Sequence, residues 1–254
     1  MTSYVGVDWA SRGWLAVAID DREWTVQMYP SIHSVWFEHK DAESILVDIP
    51  IGLPEEERRG CDRGAKEFLG PKRSRSVFWT PSRDAVEQET YDDAKQANID
   101  ARNDSISSQA WGLIPRIREV DHFLRDNVEA QSTVFESHPE VCFKSLSENS
   151  LISKHEDDGL DIRQEVLEDT ETSAKGVYDR FVQEHIKGQA AWKRRIGNSN
   201  RDDLLDAMVL ALTGKMGDGE FERILGHTEA DVNSVPQDRE GLPMQIVYYD
   251  PHDP

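Results

Sequence analysis

Residues 44–54 read SILVDIPIGLP. A short apolar run closed by Pro and Gly predicts a strand buried on both faces. An ionised carboxylate inside such a run is costly unless a partner offsets it. Asp48 therefore either meets water at the strand's C-terminal end or serves a site, and taken alone the first reading is the simpler one. Working outward, SYVGVDW (3–9), GWLAVAI (13–19) and WTVQMY (24–29) predict three earlier strands joined by short links, an antiparallel meander. Residues 31–40 predict a short helix with Ser31 as N-cap. SILVDIP is then the fourth strand and STVFESHP (132–139) the fifth.

Helical spacing marks residues 109–126, and further helices are expected at 140–147, 161–171 and 174–187. The clearest is RDDLLDAMVLALTGK (201–215), ended by Gly214 or Gly217. Strands, helix, strand, helical insert, strand and helices in that order predict an α/β domain, a mixed sheet flanked by helices. The expected organisation is one domain over residues 1–217 with a helical insertion at about 55–108. Residues 218–254 form a polar extension with a strand-like stretch at 242–249.

The chain holds 49 acidic residues against 29 basic ones, a net charge of −20, with 19 Arg to 10 Lys. The excess is spread along the chain. An acidic surface of this kind suits concentrated salt, where repulsion is screened within about 3 Å at 1 M, so a halophilic protein is expected. No stretch approaches the ~20 apolar residues of a membrane span, and the N-terminus shows no secretory pattern. Cys61 and Cys142 have no metal-ligand spacing. A soluble cytoplasmic protein without disulfides is expected, and a monomer or a homodimer fits.

In so acidic a chain a carboxylate earns notice by its setting. Asp8 lies late in the first strand, Asp48 late in the fourth and Glu136 late in the fifth. Glu136 and His138 share one face of that strand by alternation. Asn200 is a good N-cap for the late helix, and Asp202 in its first turn complements the helix dipole. Asp206 lies past that turn among Leu, Ala, Met and Val, and it shares a face with Asp203. Singly, each has an ordinary structural reading: a turn, a cap, a solvated end. Together they describe carboxylates converging at one edge of a sheet. Such clusters repel, and a hard divalent cation, Mg2+ or Mn2+, resolves the repulsion. Two such ions clamp the attacking and leaving oxygens of a phosphodiester.

This pattern resembles the RNase H-like superfamily. That resemblance implies three antiparallel strands, a helix and two further strands, with acids on the first strand, the fourth strand and a late helix. DLLDAMVLALT resembles the late helix of bacterial Holliday-junction resolvases, onto which Asp203 and Asp206 map. More narrowly, GVDWA, VDIPIGLP, SVFWTPSR, SSQAWGLIPRIREVD, FESHPEVCF and DDLLDA are similar to domain-of-unknown-function family 429, grouped as predicted nucleases. The resemblance spans residues 4 to 214 or so. It implies a metal-dependent nuclease in which Asp8, Asp48, Asp203 and Asp206 hold the metal ions; Glu136, from the converging strand ends, is expected to join them, although the fifth strand does not carry a ligand throughout the superfamily. His138 or Glu140 would shuttle protons or order the ligands.

Residues 58–83 carry eight basic residues against two acidic ones, opposite in sign to the whole chain. Such a run is usually a solvated face. Beside Phe78 and Trp79 it also suits a nucleic acid; the expected contacts are Arg59, Arg63, Lys72, Arg73, Arg75 and Arg83, with WKRR (192–195) in addition. Two other readings compete. A phosphotransferase of the actin and sugar-kinase type needs a second Gly-rich half, which the sequence lacks. A non-catalytic nucleic-acid-binding protein would bind without cleaving.

Overall fold

The computed structural model describes residues 2–21, 23–147, 158–188, 196–197, 200–225 and 234–252. The chain divides into two compact units. The first comprises residues 1–48, 133–222 and 248–254, and the second residues 49–132 and 223–247. Residues 223–247 of the late extension group with the second unit.

The first unit is built on a five-stranded mixed sheet of order β3-β2-β1-β4-β5. Its strands are β1 (Ser3–Trp9), β2 (Trp14–Asp20), β3 (Glu23–Tyr29), β4 (Ser44–Val47) and β5 (Val134–Glu136). The first three pair antiparallel, while β4 lies parallel to both β1 and β5. The α/β mixed sheet expected from the sequence is therefore present. Helix α1 (Ile32–His39) carries the chain from β3 past β1 to β4, with Ser31 as its N-cap. It covers the face of Tyr29, whose ring meets that of His39 edge-on at 5.6 Å.

The opposite face is covered by helices that follow β5. They are α6 (Pro139–Leu146), α7 (Gly159–Thr170), α8 (Val177–Phe181) and α9 (Arg201–Gly217). A single π-helical turn, Val182–Ile186, continues α8. Helix α9 is buried on every side from Leu204 to Gly214, as expected of a helix apolar all round its circumference. It lies against β1 and also packs on α6 and α7. It ends at Gly217 through Asp218 in the left-handed conformation, while Gly214 lies inside it against Ser44 and Tyr4.

The second unit contains α2 (Gly60–Arg73), α3 (Arg83–Val86), α4 (Tyr91–Arg102) and α5 (Ser108–Asp126). The strand-like late stretch is realised as Ile246–Tyr248, paired with Glu222–Ile224 in a separate ribbon. Among the described residues no helix is long and apolar enough to cross a membrane. Cys61 and Cys142 are buried thiols outside any disulfide.

Candidate functional site

The parallel register sets two of the acids side by side. Val7 pairs with Val47, and the Asp48 amide donates to the Val7 carbonyl at 3.0 Å, carrying the ladder one residue past β4. Asp48 therefore stands beside Asp8, on strands about 4.8 Å apart. Asp8 is buried and Asp48 half-buried. One oxygen of Asp8 accepts from the Trp9 amide at 2.6 Å. The other acids reach this edge only if α9 comes close.

Gly6 allows that approach. A Cβ at Gly6 would lie 2.1 Å from the Ala207 carbonyl and 2.3 Å from the Ala211 amide, so α9 rests on bare backbone. The helix runs against the direction of β1, since Gly214 meets Tyr4 while Ala207 meets Gly6. Asp203, one helical turn before Ala207, continues this stripe toward Asp8. Asn200 fixes the position. Its Nδ2 donates to Asp203 Oδ2 at 2.5 Å and to Ser11 Oγ at 2.8 Å. Ser11 sits at φ +57° in the turn after Asp8, so one amide nitrogen ties the start of α9 to that turn. Asn200 occupies the N-cap position without making the side-chain cap bond expected of it.

Asp206 is buried on a flank of α9 shared with Thr213, seven residues on. Thr213 faces Cys142 of α6, whose thiol also meets Ser137 Oγ at 3.2 Å. Burial pushes the Cys142 thiol up to about 11, and the Ser137 and Thr213 hydroxyls pull it only partly back.

Glu136 is placed differently. It pairs with Val47, and alternation puts it on the sheet face opposite to that of Asp8 and Asp48. The structure thus brings Asp8, Asp48 and Asp203 to one edge, with Asp206 on the adjoining flank and Glu136 across the sheet. His138 does not continue β5. Its Nδ1 accepts from the Glu140 amide at 3.2 Å, capping α6, and Pro139 follows as the first helical residue. Glu140 is engaged elsewhere: Arg163, fully buried, donates Nη2 to its Oε1 at 2.6 Å and Nη1 to the Gly159 carbonyl at 2.8 Å. A carboxylate neutralised in this way is a poor proton shuttle.

The donor set at the edge is all carboxylate, which suits Mg2+ or Mn2+. Among the described residues, however, the group of three whose ligand atoms lie within 4.8 Å of one another is Glu87, Asp121 and His122, in the second unit. Asp121 there already accepts from Arg83 at 2.8 and 2.9 Å and from Arg125 at 3.3 Å. A cation at that cluster would have to displace guanidinium groups, so its chemistry is that of an ion-pair network.

A family model described as "Protein of unknown function (DUF429)" matches residues 6–230. The chain belongs to the DUF429 family. Neither a search of curated proteins nor one of solved structures returns a significant match. The family match runs from the β1 acid through α9 and so includes every carboxylate considered above.

The basic run of this DUF429 protein divides once its side chains are placed. Arg59 is buried: it donates to Asp62 at 3.0 Å and to the Ile51 carbonyl at 2.8 Å. Arg83 is 1% exposed, held between Asp121 and Asp238. Neither is available to a polyanion, which corrects the sequence-based expectation for both. Burying a guanidinium is tolerated here because each one meets its own carboxylate. Trp79 is covered by Arg58 at 4.2 Å and approached by Lys66 at 4.9 Å. Burial lowers the Lys66 pKa. Arg63, Lys72 and Arg75 remain exposed and Arg73 half-buried. The WKRR segment, 192–195, lies outside the described residues.

Sequence reasoning missed Asn200 as a bridge. A polar residue before an acidic helix reads as a cap, and Ser11, the partner that changes its meaning, is 189 positions away.

Proposed function

We propose that this DUF429 protein is a divalent-metal-dependent phosphodiesterase acting on nucleic acid. The observation that carries the reading is the convergence at one sheet edge. The register sets Asp48 beside Asp8, and Gly6 and Asn200 bring Asp203 to the same end. Asp8, Asp48 and Asp203 would hold Mg2+ or Mn2+, with Asp206 as a further ligand. Bound there, the metal supplies an activated water and charge neutralisation for a phosphodiester. The chain's own residues keep the acids in place before any ligand arrives: the Trp9 amide orients Asp8 and the Asn200 amide orients Asp203.

The reading draws support from the order of elements, three antiparallel strands, a helix and two further strands. The exposed Arg63, Lys72 and Arg75, opposite in sign to a chain of net charge −20, support a polyanionic substrate.

The test is Mg2+- and Mn2+-dependent cleavage of labelled single strands, duplexes, RNA–DNA hybrids and four-way junctions in KCl. Asp8→Asn and Asp203→Asn should each reduce cleavage by more than about 100-fold, beyond the loss of an outer-sphere partner. Glu136→Gln, on the other face, should cost far less. Absence of metal-dependent cleavage across these substrates would overturn the reading.

A further inference from the structure

We propose that the first unit carries a separate binding site for a phosphoryl group, in an open cavity on the α9 side of the sheet. The cavity has a volume of about 530 Å3, and Glu23, Trp24, Ser173, Lys175, Gly176 and Arg180 are among its lining residues. Trp24 pairs with Ile19, which pairs with Tyr4. The cavity therefore lies toward the opposite end of β1 from Asp8, on the order of 15 Å away by strand spacing. It owes nothing to the carboxylate edge.

Its lining is rich in donors. Among the described residues Lys175 has no ion-pair partner. Arg180 uses Nη2 on the Trp24 carbonyl at 3.0 Å, and its guanidinium stands 5.0 Å from the Phe181 ring centroid, so the rest of its fork is presented in a held orientation. Ser173 Oγ accepts from the Trp24 indole at 3.0 Å, and its hydroxyl is hydrogen-bonded to the Glu171 carboxylate. At Gly176, with φ +70°, a Cβ would meet nothing within 4 Å, so that wall is open.

The acids near this loop are already engaged. Glu171 pairs with Lys215 at 2.7 Å and accepts from the Ser173 amide at 3.0 Å, contacts that lower its pKa. Glu168 accepts from Gln164 and from the Gly176 amide. Asp179 accepts from Gln164 at 3.4 Å. Glu23 is the carboxylate on the lining itself.

In a chain of net charge −20, two cations on one lining, Lys175 and Arg180, against the single carboxylate of Glu23 suit a tetrahedral oxyanion such as a phosphoryl group. Guanidinium and ammonium groups recognise that geometry. The volume falls within the roughly 300–1,000 Å3 of small-molecule sites. It exceeds what a bare phosphate needs and suits a phosphate carried on a nucleoside-sized body. That body is either a free nucleotide or the end of a strand.

The test uses the full 15N-labelled chain, titrated at constant ionic strength with inorganic phosphate, a nucleoside monophosphate, a ten-nucleotide single strand and, as control, KCl. Saturable shifts of the Ser173, Lys175 and Gly176 amides are expected with the phosphates and not with chloride. Lys175→Gln, at an exposed position, should weaken binding about threefold to fivefold while leaving other amides in place. Glu23→Gln should tighten it. Tighter binding of the strand than of the mononucleotide, or the reverse, identifies the source of the phosphate and supports the site either way. Shifts that fail to saturate, that chloride reproduces, or that Lys175→Gln leaves unchanged would overturn it.

Discussion

His39 sits on α1 with its ring against Tyr29, whose hydroxyl lies 2.9 Å from its Nε2. Burial depresses its pKa below the ordinary 6.5, and Glu38 opposes this only in part. Burial also raises the Tyr29 phenol to about 12, so that group keeps its proton. The folded chain thus holds His39 neutral where the unfolded chain has begun to protonate it. Below the ordinary histidine pKa the unfolded state binds more protons. The contribution of His39 is complete above that value and is lost as pH falls toward the depressed one. Urea unfolding of the wild type and His39→Gln, compared from pH 8 down to about pH 5, should show the wild type's advantage shrinking below about pH 6.5. A pH-independent difference would refute this coupling.

Single residues were legible where their neighbours in sequence define them. Asp8 and Asp48 stood out because apolar strands surround them. Arg59 and Arg83 did not, because what makes them structural is distant. Asp121 lies 38 residues from Arg83, and Asp238 lies 155 away. A run of cations reads as a face until such partners are placed.

At the scale of elements, the approach of α9 to β1 governs the candidate site. At the crossing Gly6 faces the backbone of Ala207 and Ala211 and the Cβ of Leu210, with no room for a side chain of its own. Gly6→Ala would press a methyl group into the Ala207 carbonyl, which is backbone and cannot rotate away. The cost should reach the upper end of the roughly 1–3 kcal/mol typical of overpacking, read from urea denaturation. Mn2+ affinity should fall as well, because Asp203 moves with the helix while Asp8 does not. An unchanged midpoint would show that α9 shifts without cost.

The elements themselves followed from pattern. Apolar runs gave the strands, and the apolar stretch on either side of Asp206 gave α9. β5 proved shorter than read because Ser-His-Pro-Glu is a helix start, with His138 as cap and Pro139 as first residue, rather than a strand end. Which face Glu136 occupies depends on its pairing with Val47, and alternation within one strand cannot supply that.

Across the whole molecule the charges do not balance. Much of the basic complement is already used in pairs such as Arg58–Asp104, Arg118–Glu89, Arg163–Glu140 and Arg239–Glu55. With 49 acids to 29 bases, each further carboxylate adds repulsion that the unfolded chain relieves by expanding. Screening shortens from about 8 Å at physiological ionic strength to about 3 Å at 1 M. Exposed pairs also weaken over that range, but each is worth at most about 1 kcal/mol, and the acids outnumber the bases by 20. Stability should therefore rise as KCl increases from about 0.1 M to about 1 M. Thermal unfolding monitored by circular dichroism measures this directly. General salting-out would raise stability too, so the discriminating comparison is a variant with Glu56, Glu57 and Glu129 changed to Gln, all exposed. That variant should be more stable than the wild type at low salt and converge with it at high salt, since it lacks part of the repulsion that KCl screens. Parallel curves would assign the salt effect to hydration, and the acidic excess would then serve solubility alone.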